Sequence, residues 1–240
     1  MSQPAVPYRA SLYSELRRAI TNVAVPQNES PVVVRRRRVV VAITLVIGAA
    51  VLGFSLRRTP GESSFYWLTL ALAGVWLAGA FASRPLHLGG INWRGRNQRP
   101  VISGLTVGLV LGAIFLAGGL IVREIPAVAA LIVRVLQYES RGTLLFVVAI
   151  TLINGIAEEM FFRGAVYTAL GRRRPVLIST ILYTLATMAS GNPMLSFAAV
   201  VLGLVCALER RASGGVLAPV LTHFVWGLIM VLALPPLFGV

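Results

Sequence analysis

The chain has 240 residues, of which 57% are hydrophobic and only 12% are charged, and its mean hydropathy is +0.81. Soluble domains carry about 25% charged residues, so the composition excludes a soluble globular protein. The net charge of +14 comes from 22 basic residues, all of them arginine. These arginines fall almost entirely between apolar runs, which indicates membrane topology rather than a nucleic-acid-binding surface.

Long unbroken apolar runs without strand alternation predict an all-α, polytopic transmembrane helical bundle rather than a β-barrel. We expect seven spans: Val39–Leu56, Phe65–Ala82, Val101–Val122, Thr143–Tyr167, Val176–Ala189, Met194–Leu208 and Val216–Leu234. The fifth and sixth are shorter than the ~20 residues of a full crossing. Ile125–Tyr138 is too short and too interrupted for a crossing, so we place it at the far interface. Residues 1–38 then form a cytoplasmic N-terminal segment and residues 39–240 the transmembrane domain.

The N-terminal segment carries an apolar repeat of four residues, formed by Tyr8, Leu12, Leu16 and Ile20. This spacing is consistent with an amphipathic helix on the membrane surface and equally with a disordered tail. The leader is too long for a cleavable signal peptide, and no small-residue cleavage site follows the first apolar run. We therefore expect a signal anchor whose N-terminus stays in the cytoplasm.

The arginines test this topology. With the N-terminus inside, sixteen arginines fall in cytoplasmic segments, five fall in outer segments, and Arg163 lies within a span. This bias follows the positive-inside rule. An eighth crossing at Ile125–Tyr138 would reverse every later loop and remove the bias, so the count favours seven spans.

The third span contains a ridge of small residues, formed by Gly104, Gly108 and Gly112. Glycines at this spacing let two membrane helices approach closely. In a bundle of this size, we expect the ridge to pack against another helix of the same chain rather than to form a dimer.

Three ionisable residues interrupt the fourth span: Glu158, Glu159 and Arg163. Each costs about 2.5–3.5 kcal/mol at the centre of a membrane helix. Glu159 and Arg163 have the spacing of a favourable helical ion pair. Glu158 is turned by about 100° from Glu159 and is left without this partner. A desolvated carboxyl group is suited to act as a general base.

His223 is the only histidine within a predicted span. Counted from the cytoplasmic ends of their helices, Glu158 and His223 lie roughly 10–15 Å deep, so we expect them to meet at one level. A glutamate and a histidine around a trapped water activate it for attack on a peptide carbonyl. The alternative is a histidine that only forms a hydrogen bond between helices.

The Glu-Glu-x-x-x-Arg pattern of Glu158, Glu159 and Arg163 resembles the first motif of the CAAX-protease and bacteriocin-processing (CPBP) family of intramembrane proteases. The resemblance covers residues 143–234. The family's second motif is Phe-x-x-x-His, and the matching positions here are Tyr183 and Thr187. Threonine therefore stands where the family has a histidine.

The family's third motif pairs a histidine with an asparagine four residues later, and this chain has His223 and Gly227 at these positions. Two polar groups of the family's site are therefore missing. Asn154, one turn before Glu158 on the same helix face, is a candidate replacement for the missing amide.

The sequence does not favour a metal or another cofactor. A zinc site typically has three protein ligands and a water, and Glu158, Glu159 and His223 reach three only if Glu159 leaves Arg163. No His-Glu-x-x-His pattern occurs. Although the family is often called a metalloprotease family, we predict a glutamate-activated water and no cofactor.

The resemblance implies an intramembrane endopeptidase of the bacterial inner membrane that acts on a hydrophobic or membrane-associated substrate. Glu158 is the predicted general base, His223 its partner, and Glu159 with Arg163 a pair that orients the site. The missing polar groups at Thr187 and Gly227 favour an alternative, a catalytically inactive member that acts as a membrane scaffold or an immunity-type binding protein. A transporter is the third interpretation, because intramembrane acids also mark ion paths.

Overall fold

The computed structural model describes residues 22–24, 30–93, 96–140 and 143–240, without the side chains of residues 93, 139 and 140. Almost all of this part is helical, as predicted. The α-helices are α1 (Pro31–Ser55), α2 (Ser63–Ala82), α3 (Val101–Val122), α4 (Pro126–Ser140), α5 (Leu144–Glu159), α6 (Tyr167–Leu170), α7 (Pro175–Met188), α8 (Pro193–Ser213) and α9 (Leu217–Leu237). A π-helical segment, Met160–Val166, joins α5 to α6 and makes one continuous spanning helix.

Contacts between helix ends define two ends of the bundle. At one end, Arg36 at the start of α1 donates to the carbonyl of Ala82 at the end of α2 over 2.8 Å. At the same end, Arg38 donates to the carbonyl of Ala169 in α6 over 3.1 Å. We call this the arginine-rich end. These side chains satisfy backbone carbonyls that have no partner within their own helices.

At the opposite end, a Cβ on Gly53 would lie 3.0 Å from the carbonyl oxygen of Ala189, so the ends of α1 and α7 meet there. Helix α7 starts at the arginine-rich end and reaches this one with only 14 residues. Among the described helices, six are long and apolar enough to cross a membrane by length and composition. Together with the shorter α7, seven of the described helical segments, or passages, run between the two ends. That all seven cross the membrane remains a prediction.

Helix α4 does not connect the two ends. Three residues separate its start from the end of α3. At its other end, the hydroxyl group of Tyr138 donates to the carbonyl of Arg58 over 2.7 Å. Both of its ends therefore lie opposite the arginine-rich end of the bundle. This agrees with the interfacial position predicted for Ile125–Tyr138.

Three details differ from the predictions or lie beyond them. Helix α1 begins at Pro31, eight residues before the predicted start at Val39, so the four arginines 35–38 lie within the helix and not before it. Proline is well tolerated in a first helical turn. A short antiparallel hairpin of β1 (Ile91–Trp93) and β2 (Arg96–Gln98) occupies a loop for which we predicted no secondary structure. The amphipathic repeat from Tyr8 to Ile20 lies outside the described residues.

The glycine ridge of α3 packs against α9, as expected for internal packing. A Cβ on Gly104 would lie 2.7 Å from the carbonyl oxygen of Ala218, and one on Gly108 would lie 2.8 Å from that of Thr222. The hydroxyl group of Thr222 donates to the carbonyl of Gly104 over 2.9 Å. This close packing fixes the part of α9 that carries His223.

An aromatic cluster holds the π-helical segment against α2. The ring of Trp76 stacks on Phe161 with a centroid distance of 4.9 Å, and Phe162 meets the same indole edge-on at 5.2 Å. Gly48 in α1 makes room for the indole, because a Cβ there would overlap the Trp76 ring. The acidic motif therefore sits on a closely packed support.

Candidate active site

The motif lies where the fourth passage changes from α-helix to π-helix. The backbone N–H of Tyr167 bonds to the carbonyl of Phe162, the wider i→i−5 pattern of a π-helix. All residues from Phe161 to Val166 are buried. Such π-helical turns occur frequently at functional sites, and this one carries Arg163 while Glu158 and Glu159 end the preceding α-helix.

Glu159 and Arg163 form the predicted ion pair. Arg163 Nη1 donates to Glu159 Oε1 over 3.0 Å, and both side chains are fully buried. Arg163 Nη2 donates to the carbonyl of Gly203 in α8 over 2.9 Å, and its guanidinium lies 4.8 Å from the ring centroid of Tyr183. The arginine thereby joins the motif to α7 and α8, and its charge compensates a carboxylate buried in the bundle.

His223 contacts Glu159 and not Glu158. Its Nδ1 lies 2.9 Å from Glu159 Oε1, the same oxygen that receives Arg163. His223 therefore lies at the depth of the acidic motif, as expected. It forms its hydrogen bond with Glu159, however, and none with Glu158.

Gly155 creates the space for the imidazole. A Cβ on Gly155 would lie 3.0 Å from His223 Cδ2 and 3.2 Å from Nε2. The ring therefore rests directly on the backbone of α5, one turn before Glu158. Because Nδ1 is hydrogen-bonded to Glu159, Nε2 is the ring nitrogen that remains to interact with a substrate.

Glu158 has a different environment from Glu159. Its Oε2 accepts a hydrogen bond of 2.7 Å from the hydroxyl group of Tyr183 in α7. Its Oε1 receives no hydrogen bond from the described residues. Glu158 is half-buried, whereas Glu159 is completely buried. Glu159 Oε2 likewise has no hydrogen-bond partner among the described residues, but it is buried. Of the two acids, Glu158 is therefore the one whose unpaired oxygen is accessible to a reactant.

Two of the predicted supporting residues, Asn154 and Thr187, form their hydrogen bonds outside the site. The amide nitrogen of Asn154 donates to the carbonyls of Thr69 over 3.1 Å and Ile150 over 2.9 Å, so it connects α5 to α2 and does not point a donor at the site. The hydroxyl group of Thr187 donates to the carbonyl of Tyr183 within α7 over 2.9 Å. Neither takes the place of the family's missing polar group.

Gly227, which stands where the family's third motif has an asparagine, faces α5. A Cβ there would meet only Thr151 Cγ2, at 3.9 Å. There is thus free space one helical turn after His223, beside the helix that carries the acids.

The arrangement does not fit a zinc ion held by three protein ligands. No group of three or more His, Cys, Asp and Glu side chains with such a geometry occurs among the described residues. Glu159 Oε1 already accepts two hydrogen bonds, and Glu158 is oriented by Tyr183. That the protein works without a cofactor remains a prediction.

Two further residues of the site were not singled out from the sequence. Tyr183 occupies the position of the phenylalanine in the family's second motif. Its hydroxyl group, which phenylalanine lacks, is the feature of the sequence that could have indicated a role in the site. Glu209 is a partly buried carboxyl group beside Thr222. The predicted sixth span ends at Leu208, one residue before Glu209, whereas α8 continues to Ser213.

Comparisons with known proteins agree with the resemblance stated from the motif. Residues 140–229 match the family model described as type II CAAX prenyl endopeptidase Rce1-like, a model of the CPBP family. This range contains the acidic motif, Tyr183 and His223. Curated proteins gave no match, and solved structures gave none either.

Proposed function

We propose that this multi-pass membrane protein, whose residues 140–229 match the CAAX endopeptidase family model, is an intramembrane endopeptidase. It hydrolyses peptide bonds of a hydrophobic or membrane-associated substrate, with a water activated by Glu158. The observation that carries the proposal is that the two neighbouring acids differ in burial and in hydrogen bonding. Glu159 is completely buried, with one oxygen bound by Arg163 and His223 and the other out of reach of a reactant. Glu158 is half-buried, and only one of its oxygens is occupied, by Tyr183.

Glu158 acts as the general base in this mechanism. Its carboxylate takes a proton from water while the water oxygen bonds to the peptide carbonyl carbon, which becomes tetrahedral with a negatively charged oxygen. When this intermediate collapses, the C–N bond breaks and Glu158 passes the proton to the leaving nitrogen. The products are a carboxylic acid and an amine, which become a carboxylate and an ammonium ion when the acid's proton passes to the amine. General acid–base catalysis of this kind contributes about 10²–10⁴-fold to a rate.

His223 stabilises the charge that develops on the carbonyl oxygen. Its Nδ1 lies 2.9 Å from Glu159 Oε1, and this hydrogen bond fixes the orientation of the ring. In the protonated ring, Nε2–H is a donor for the oxyanion, and Gly155 leaves the space in which this nitrogen lies. A fixed donor in a site that excludes water stabilises such a transition state effectively.

An inactive family member that binds a membrane partner, as a scaffold or an immunity-type protein, is the second candidate. The hydroxyl group of Thr187 is engaged within its own helix, and Gly227 offers no side chain, so two polar groups of the family motifs are missing. The Thr187→His variant separates the two candidates. It should increase turnover if the site is a weakened protease and leave turnover at zero if the site only binds.

Hydrolysis itself is tested with the purified protein in lipid vesicles and membrane-delivered peptides, in water enriched in a heavy oxygen isotope. Mass spectrometry should find fragments whose new carboxyl terminus carries one solvent oxygen. Tight binding of the peptides without cleavage by either wild type or Thr187→His would contradict the proposal and support the binding protein.

For the location, we propose the bacterial inner membrane with the arginine-rich end in the cytoplasm. This orientation depends on the arginines lying together at one end of the bundle. In the structure, that end contains arginines 35–38, 172–174, 210 and 211. The positive-inside rule then assigns this end to the cytoplasm.

A further inference from the structure

A second site lies at the arginine-rich end, outside the acidic motif. It is a cavity of about 550 Å³ between the α6–α7 loop and the last turns of α8. Four of its described lining residues are arginines, namely Arg172, Arg174, Arg210 and Arg211, and none of the described lining residues is acidic. We propose that this cavity binds the phosphate headgroup of an anionic phospholipid.

The charges in the cavity are not neutralised by the described part of the protein. No ion pair joins any of the four arginines to a described carboxylate. Arg210 is 8% exposed, and the Nε of Arg211 is buried without a hydrogen-bond partner. Buried cationic groups without a counter-charge are costly, and an anion in the cavity would supply that charge.

The walls of the cavity suit a lipid better than a soluble anion. Leu177 is 51% exposed and Leu204 is 44% exposed, and both line the same cavity as the arginines. They lie on the apolar helices α7 and α8, where exposed leucines are suited to contact acyl chains. A headgroup held by the arginines would therefore place its acyl chains along these leucines. Basic pockets between membrane helices on this side are suited to acidic headgroups.

The cavity also borders the acidic motif. Arg210 Nε donates to the backbone carbonyl of Arg163 over 2.8 Å, so one of the lining arginines also holds the π-helical segment. The proposal does not depend on the proposed proteolysis, because binding can be measured without a peptide substrate.

The test measures lipid binding to the full chain in neutral detergent by native mass spectrometry, with phosphatidylglycerol, phosphatidylcholine and inorganic phosphate as separate probes. Two exposed arginines of the cavity are removed in the Arg172→Gln/Arg174→Gln variant. The matched control removes two arginines at the opposite end, in Arg57→Gln/Arg58→Gln. Each pair lowers the net charge by the same amount, and all four side chains are exposed.

We expect phosphatidylglycerol to bind more tightly than phosphatidylcholine. The cavity variant should lose affinity for phosphatidylglycerol by about 30-fold, from two interfacial arginines, and the control should match wild type. Equal binding of the two lipids, or equal losses in both variants, would overturn the proposal. Complete displacement of phosphatidylglycerol by inorganic phosphate would also overturn it, since the site would then recognise a free anion.

Discussion

Tyr183 donates its hydroxyl group to Glu158 over 2.7 Å and thereby connects α7 to the helix that carries the acidic motif. The family's second motif has its histidine one helical turn later, at the position of Thr187. In this chain the tyrosine, and not the threonine, reaches the acid. Tyr183 therefore orients the carboxyl group that we propose as the base.

The Tyr183→Phe variant should reduce turnover by about 10–100-fold, because a hydrogen bond to a charged group contributes roughly 1.5–3 kcal/mol. The ring and its contact with Arg163 remain, so the folded yield should stay close to that of wild type. The control is Thr187→Val, which removes a hydroxyl group that bonds only within α7. Similar turnover by Tyr183→Phe and wild type would show that Tyr183 does not orient Glu158.

The Glu159–Arg163 pair should determine whether the bundle folds. Arg163→Ala leaves a fully buried carboxylate facing only His223, and breaking a buried pair in this way costs about 3–5 kcal/mol. The free energy of unfolding is measured in mixed micelles with a denaturing detergent. Arg57→Ala, which removes an exposed arginine outside the arginine-rich cavity, is the control and should be neutral. An Arg163→Ala protein as stable as wild type would refute the structural role of the pair.

Gly155→Ala tests the position of His223. The added methyl group would lie 3.0 Å from His223 Cδ2, so the ring must move away from α5 and weaken its hydrogen bond to Glu159. We expect turnover to fall more strongly than stability. Gly74→Ala is the matched control, because a Cβ at Gly74 meets no atom within 4 Å. If the two variants have the same turnover, the close packing of His223 on Gly155 has no functional consequence.

The seven passages can be checked with reporter fusions. Fusions after Leu88 and after Arg173 should be cytoplasmic, because both residues lie at the arginine-rich end. Fusions after Gly61 and at the C-terminus should be external. A cytoplasmic C-terminus would mean an even number of crossings and would contradict the arrangement of α4 and α7.

The sequence was sufficient to predict what depends on the composition of single helices. Apolar runs located the spans, and the arginine count placed Ile125–Tyr138 at the interface, where Tyr138 contacts Arg58. The Glu159–Arg163 pair followed from helical spacing alone. The glycine ridge predicted a close helix contact, although the partner helix α9 was not identified.

The partners of Glu158 and His223 could not be predicted in the same way. They depend on how α7 and α9 are rotated against α5, and side-chain spacing within one helix does not contain this information. The π-helical segment adds a second difficulty, because it changes the register of residues after Glu159. For these reasons the sequence paired His223 with Glu158, while the structure pairs it with Glu159.

The central claim is that Glu158 activates water, and turnover by Glu158→Gln tests it most directly. Glutamine keeps the size and accepts the Tyr183 hydrogen bond, but it cannot take a proton from water. Wild type and variant are compared in lipid vesicles on membrane-delivered peptides, with folded yield measured on the same samples. We predict cleavage by wild type, a loss of about 10²–10⁴-fold in the variant, and an unchanged or higher folded yield, since a costly intramembrane carboxyl group is gone. Equal turnover by the two proteins would contradict the assignment of Glu158 as the base.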